Sequence, residues 1–345
     1  MANEKFYCFY HNDMDGKAAG YCVYKHLTEL GYEIYPNCFQ KHAYGDPWKT
    51  SFIDKDTVVF LVDLSFTETT EHTLINMCEI AKEVIWIDHH QSSMDLYNRD
   101  TARLNSIDNL TIFLHNNACG ALLTYIWTQT TPYNIWHYMG CGNNRQLMLN
   151  DDHTLAITTA YGKQSTYMKV NVPVWLNIID DYDRWCGRMP ELTDKFILGC
   201  DTANTALITK NGDSIEFNLE FWDSLKNEDT INDLHFKGNT IKTYLDSRYK
   251  RELVNAFEFT LADGSIILCK NGSGNSWNFQ DEIMHYPAVC LFSFSGKNGL
   301  WTHSVYSHAT SDFDCAKFCE QYGGGGHKHA AGFQVKEPVF TPKFN

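Results

Sequence analysis

Three times within the first ninety residues, an apolar run of strand length ends in acids and histidines. Lys5 to Tyr10 leads into His11-Asn12-Asp13-Met14-Asp15-Gly16, Val58 to Val62 into Asp63, and Val84 to Ile87 into Asp88-His89-His90. Longer amphipathic stretches separate these runs, a pattern that predicts a parallel sheet with crossover helices. Open sheets of that kind bind ligands beyond the carboxyl ends of their strands, so the three endings converge on one crevice.

The spacing predicts strands at Lys5 to Tyr10, Glu33 to Phe39, Thr57 to Val62 and Val84 to Ile87. It predicts helices at Gly16 to Leu30 and at Thr67 to Ala81, the second with Ser65 and Thr67 as capping candidates. From Asn98 to Trp185 the pattern reads as mostly helical, apart from a polar and aromatic stretch, Gln129 to Asp152, without a readable period. Leu234 to Ala256 reads as a helix joining two domains. The chain then turns β-rich: Glu258 to Leu261 and Ile266 to Lys270 form a hairpin, and strands follow at Ala288 to Phe294 and Leu300 to Tyr306. A helix near Phe313 to Tyr322 precedes Gly323-Gly324-Gly325-Gly326-His327. A length of 345 residues exceeds what one core usually fills. The expected fold class is α/β in two domains: a parallel-sheet metal domain over residues 1–232, a linker helix over 233–256, and a smaller α/β domain over 257–345.

In His11-x-Asp13-x-Asp15 the candidate ligands alternate, and extended backbone turns alternate residues to one side. Gly16 is expected to let the chain turn sharply behind them. Carboxylates with a few imidazoles suit manganese or magnesium better than a thiolate-bound zinc site. Crowded without cations, these acids would repel one another. A pair of divalent ions about 3.5 to 4 Å apart relieves that repulsion, activates a bridging hydroxide and stabilises both oxygens of an in-line phosphoryl displacement. Taken singly, the first motif also fits a polar turn with a helix cap, and Asp63 or His89-His90 an ordinary strand end. Their recurrence at three strand ends favours the metal reading, with Asp63 as the shared carboxylate.

A formal net charge of -14 opposes tracking along extended nucleic acid, whose binding relies on many Lys and Arg facing phosphates. Small nucleotides are the better substrate class. Hydrophobic content of 43% without a run of membrane-spanning length predicts no membrane association. The opening MANEKFYCFYHND turns polar too early for a signal-peptide core, and the twelve scattered cysteines lack a CxxC pair. Reduced thiols in the cytoplasm are expected.

His11-x-Asp13-x-Asp15-Gly16, Asp63 and Asp88-His89-His90, followed in order by GGGGHKHAAGF from Gly323 to Phe333, resemble the DHH phosphoesterase family with its DHH-associated C-terminal domain. The similarity is to the branch of nanoRNases and nucleotide phosphodiesterases. It implies two Mn2+ ions, with Mg2+ or Co2+ as substitutes: His11 and Asp13 on one, Asp15, His89 and a fourth-motif aspartate on the other, and Asp63 bridging. It further implies that His90 lies near the substrate and shares the catalytic role with Asp63, while Asp88 orients the histidines. Within Asp180-Asp181-Tyr182-Asp183-Arg184-Trp185 the Tyr-Asp-x-Trp setting favours Asp183, with Asp180 and Asp181 as alternatives. In the second domain, Gly324, Gly325 and Gly326 offer backbone N–H groups to phosphate, and His327 a side-chain contact. Where the family often carries a phosphate-binding arginine, this chain has Ser304-Val305-Tyr306-Ser307-His308, which leaves Tyr306 or His308 to replace it.

The expected activity is hydrolysis of short oligoribonucleotides or linear dinucleotides to mononucleotides. Its rivals are a cyclic mono- or dinucleotide phosphodiesterase, a 3'-phosphoadenosine 5'-phosphate phosphatase, a single-strand exonuclease, and a nucleotide-binding regulator without catalysis. A homodimer is compatible with this reading.

Overall fold

Five parallel strands make the principal sheet: β1 (Lys5–His11), β2 (Phe39–His42), β3 (Thr57–Val62), β4 (Glu83–Asp88) and β5 (Leu110–Leu114), in the spatial order β2-β1-β3-β4-β5. The computed structural model describes residues 5–43, 46–130, 146–149, 154–158, 165–211 and 214–341. The chain divides into two units, Met1–Asn239 and Thr240–Asn345, and the sheet belongs to the first.

Helices α1 (Met14–Glu29), α2 (Glu71–Ile80), α3 (Gln91–Leu104), α4 (Gly120–Thr130) and α5 (Val174–Asp183) cover the sheet. Successive side chains of a strand point to opposite faces, which splits the apolar runs between two cores. Cys8, Tyr10, Phe60, Val62, Ile85 and Ile87 pack with α1, α4 and α5. Tyr7, Phe9, Val59, Leu61, Val84 and Trp86 pack with α2 and α3. All six residues of β3 are buried, as expected for a central strand of a parallel sheet covered on both faces. The strand order reverses at β1, whose neighbours are β2 and β3. The crevice beyond their carboxyl ends is the topological switch point, and His11 and Asp63 stand on its two sides.

Several elements differ from the sequence expectation. The second strand is Phe39–His42 rather than Glu33 to Phe39, because Pro36, with its fixed φ and no N–H, opens a 3-10 turn over Pro36–Cys38. The second helix starts at Glu71, since Thr67 to Thr70 form a turn in which the Thr70 hydroxyl accepts the Thr67 N–H at 2.9 Å; neither Ser65 nor Thr67 caps it. The stretch expected to be mostly helical contains the edge strand β5, where only Phe113 is fully buried, so its alternation is faint. It also contains β6 (Gln146–Leu149), β7 (Thr154–Thr158) and β8 (Ser165–Lys169), an antiparallel three-stranded sheet. The rest of the aperiodic stretch, 131–145 and 150–152, lies outside the described residues.

After α5 come α6 (Pro190–Cys200), the hairpin β9 (Ile208–Asn211) and β10 (Ser214–Phe217), α7 (Glu220–Ser224) and the long α8 (Glu228–Glu252), within which the two units divide. The second unit holds β11 (Phe257–Thr260), β12 (Ile266–Asn271), β13 (Val289–Ser295), β14 (Leu300–Tyr306), α9 (Cys315–Glu320), β15 (Gly325–His327) and β16 (Ala330–Val335). Its sheet order is β11-β12-β13-β14-β16-β15, antiparallel except for β12 with β13. The cysteines of the described residues are free thiols, and among those residues no helix is long and apolar enough to cross a membrane.

Candidate metal centre

β1 ends at His11 and α1 begins at Met14, leaving two residues to reverse the chain. Asp13 caps the helix: its Oδ1 accepts the Gly16 N–H at 2.8 Å, while its Oδ2 lies 2.7 Å from His11 Nδ1. Gly16 is required for space rather than for a turn. It lies inside α1, and a Cβ there would stand 2.2 Å from the His11 carbonyl oxygen.

Asp63 follows β3 with φ of 55°, a left-handed conformation that costs a non-glycine residue on the order of 1 kcal/mol. Its N–H donates to the Ile87 carbonyl of β4 at 2.9 Å, which holds the carboxylate at the switch point. Both carboxylate oxygens are buried and have no hydrogen bond. The nearest nitrogens are His89 Nε2, 3.3 Å from Oδ1, and His11 Nδ1, 3.7 Å from Oδ2.

β4 delivers Asp88 and the histidines after it. His89 Nε2 lies 3.7 Å from Asp15 Oδ2 and 3.4 Å from Asp183 Oδ2. His90 Nδ1 lies 2.7 Å from Asp88 Oδ1, and the other Asp88 oxygen accepts the Ser93 hydroxyl at 2.5 Å. Asp88 is fully buried and orients His90.

The three fourth-motif acids separate cleanly. Asp180 accepts two hydrogen bonds from Arg184 at 2.8 Å, one from Arg188, and the Cys119 N–H at 2.7 Å. Asp181 accepts the Thr193 hydroxyl at 2.6 Å and the N–H groups of Arg188 and Met189. Asp183, at the end of α5, turns to His89, and its Oδ2 is buried without a hydrogen bond.

Asp15 reveals a contribution that sequence reasoning missed. Its two oxygens accept the Gly120 and Ala121 N–H groups at 2.7 and 2.8 Å, so the first turn of α1 caps the start of α4. The positive end of α4 thereby faces the acid cluster. Ala118-Cys119-Gly120 contains no capping side chain, and the only local signal was a glycine where a helix begins.

Donor atoms of His11, Asp13 and Asp63 lie within 4.8 Å of one another, as do those of Asp15, His89 and Asp183, and those of Asp63, Asp88, His89 and His90. Burial alone would lower the His11 pKa, but Asp13 at 2.7 Å and the negative charge of Asp63 outweigh it and hold the imidazolium up to about 10. Burial and the charges of Asp63 and Asp183 push the Asp15 carboxyl upward; burial raises Asp183 to about 6 despite His89. These opposed shifts describe acids crowded together with too little positive charge. Hard oxygen donors, imidazoles and buried carboxylate oxygens left without donors fit a divalent cation.

In the second unit, the Gly323 and Gly324 N–H groups donate to the Glu320 and Cys319 carbonyls at 3.0 Å and close α9, so they are not available to an anion. Gly325, Gly326 and His327 form an edge strand against Ala330 to Gly332; the His327 side chain lies outside the described residues. The Tyr306 hydroxyl donates to the Gly274 carbonyl at 3.2 Å, and His308 Nδ1 lies 2.8 Å from the Thr310 hydroxyl.

Residues 5–148 match the DHH family, N-terminal domain. No curated protein matches the chain in sequence. Among solved structures, a DHH domain from a protein described as a member of a ribosomal-protein family is 12% identical, covers 96% of this chain and 82% of its own, and superposes with a TM-score of 0.51, a likeness of fold. The pGpG-specific phosphodiesterase PggH from Vibrio cholerae is 12% identical over 96% of this chain and 93% of its own, with a TM-score of 0.40. Exonuclease RecJ bound to manganese is 13% identical over 96% and 86%, with a TM-score of 0.42.

Proposed function

From the match of residues 5–148 to the DHH family, N-terminal domain, we propose that the protein is a metal-dependent phosphodiesterase that hydrolyses short oligoribonucleotides or linear dinucleotides to mononucleotides. The observation that carries this reading is the pair of ligand groups joined through Asp63. His11 and Asp13 would hold one cation and Asp15, His89 and Asp183 the other, and Asp63 lies against His11 and His89. Two divalent cations, Mn2+ with Mg2+ or Co2+ as substitutes, supply the charge that activates water and stabilises an in-line displacement at phosphorus.

The chain's own residues prepare that chemistry. Asp63 is held in a strained backbone with its oxygens free of protein donors, so no hydrogen bond must break before it binds a cation. Asp88 accepts the Nδ1 proton of His90, which assigns the other ring nitrogen to the substrate. There His90 stabilises the phosphoryl oxygens or protonates the leaving oxygen. Gly324 to Gly326, His327, Tyr306 and His308 of the second unit contact the nucleotide, with the edge strand Gly325–His327 rather than the N–H of Gly324 meeting phosphate.

The test is a substrate panel with Mn2+: linear di- to pentaribonucleotides, cyclic dinucleotides, 3'-phosphoadenosine 5'-phosphate and long single strands. Mononucleotide release from the short linear substrates is expected, lost in Asp63→Ala. Faster opening of cyclic dinucleotides, or equal turnover by wild type and Asp63→Ala, would overturn the assignment.

A further inference from the structure

Among the described residues, three other than glycine have a left-handed backbone: Asp63, Trp185 and Gln280. Asp63 is a candidate ligand, and Trp185 stands two residues after another, Asp183. With φ of 54°, Trp185 occupies the position just past the end of α5. Its N–H donates to the Tyr182 carbonyl at 3.2 Å and the Cys186 N–H to the Asp181 carbonyl at 3.0 Å, a helix-closing pattern whose left-handed residue is usually glycine. A tryptophan there works against the backbone, and burial does little to offset it. Its indole is 66% exposed, whereas Trp86, Trp127, Trp175 and Trp222 are at most 5% exposed.

Backbone strain of this kind collects at functional sites, and here the surroundings connect it to the candidate metal centre. The indole lies along the Tyr182 ring, with centroids 6.5 Å apart and planes 20° from parallel. Tyr182 is half-buried, and its phenol feels the charges of Asp201, Asp194, Asp183 and Asp13, the last two belonging to the centre. The backbone under the indole is held on both sides. Asp180 accepts two hydrogen bonds of 2.8 Å from the Arg184 guanidinium, and Asp181 accepts the Arg188 N–H at 2.7 Å. A large aromatic surface is thus fixed to the same helix end as Asp183, whose Oδ2 lies 3.4 Å from His89 Nε2. Two residues of chain span at most about 7 Å. A rigid, solvent-facing ring at that distance suits a heterocyclic base, because every base has a π-face.

We propose that Trp185 is a stacking platform for a base of the substrate, set beside the metal centre so that the attached phosphate is delivered to the cations. This positioning role rests on the phosphodiesterase reading. It accounts for a tryptophan where glycine would fold more easily: the ring serves binding rather than the helix end.

Trp185→Gly and Trp185→Tyr separate those two demands. In urea denaturation the glycine variant should be at least as stable as wild type, because glycine adopts the left-handed turn without strain. Turnover with Mn2+ is then compared between a diribonucleotide and its abasic analogue, the same sugar-phosphate backbone without bases. Wild type should favour the base-bearing form in kcat/KM, and Trp185→Gly should lose about tenfold of that preference, chiefly through KM, as expected for one stacked base. Trp185→Tyr should recover most of it. A glycine variant that kept the wild-type preference, or that was clearly less stable than wild type, would overturn the platform. If wild type cut neither the diribonucleotide nor bis(p-nitrophenyl) phosphate, the phosphodiesterase reading would fall, and calorimetry would decide the platform by itself. Wild type should then bind adenosine 5'-monophosphate more tightly than ribose 5-phosphate, a difference lost in Trp185→Gly; equal binding by wild type, or a difference that survived in the variant, would overturn the role.

Discussion

Replacing Gly120 by alanine adds one methyl group to the start of α4 and removes no ligand. That methyl would stand 2.6 Å from the Asp63 Cβ and 2.9 Å from its Oδ1, where ordinary contacts are 3.4 to 4 Å. Neither side yields readily, because the Gly120 and Ala121 N–H groups hold Asp15 and the Asp63 N–H is tied to β4. Relief requires a displacement of about 1 Å, and a misplacement of that size at a reacting centre is worth about a hundredfold in rate. Overpacking would cost about 1 to 3 kcal/mol of stability, offset by up to about 1 kcal/mol from replacing a helical glycine. The expected outcome is a kcat for dinucleotide hydrolysis about a hundredfold lower at saturating Mn2+, weaker metal binding by calorimetry, and a protein that still folds. Gly296→Ala, with nothing within 4 Å of the added Cβ, is the control. Turnover and metal affinity within twofold of wild type would refute the argument that Gly120 positions Asp63.

Asp180→Ala strips Arg184, Arg188 and the Cys119 N–H of a buried partner and should cost about 3 kcal/mol by urea denaturation. Asp183→Ala removes a crowded acid, so the metal-free protein should lose little or no stability while Mn2+ binding weakens strongly by calorimetry. Adding Mn2+ to chelator-treated wild type should raise the Tm, by about 2.7 kcal/mol of stabilisation at a hundred times Kd, and Asp63→Ala should blunt that rise. His26 is 7% exposed and burial holds its pKa down to about 4, against 6.5 in the unfolded chain. The unfolded state therefore takes up the proton first: the folded state is undisturbed above pH 6.5, loses up to about 3 kcal/mol as pH falls from 6.5 to 4, and loses no more from this group below that. His26→Gln should flatten that slope in denaturation curves at pH 7.5 and pH 4.5.

The sequence by itself determined the strands that carry the centre and the residues at their ends. Runs such as Val58 to Val62 are legible because a strand covered on both faces is almost entirely apolar, so the acid that follows stands out in the sequence. β5 and the displaced β2 were not legible: an edge strand with one fully buried residue leaves little period, and a proline turn moved the register. Local pattern also left Asp180, Asp181 and Asp183 as alternatives, since all three are acids on one short helix. Only tertiary structure separated them, by bringing Arg184, Arg188 and the Cys119 N–H to Asp180, Thr193 to Asp181, and His89 to Asp183. It likewise decided that α4 directs its first N–H groups at Asp15 and that Gly120 abuts Asp63, contacts between segments more than fifty residues apart. A ligand's residue type is written in the chain, but which partners satisfy it and which oxygens stay free for a cation depends on distances that exist only once the sheet and helices have packed.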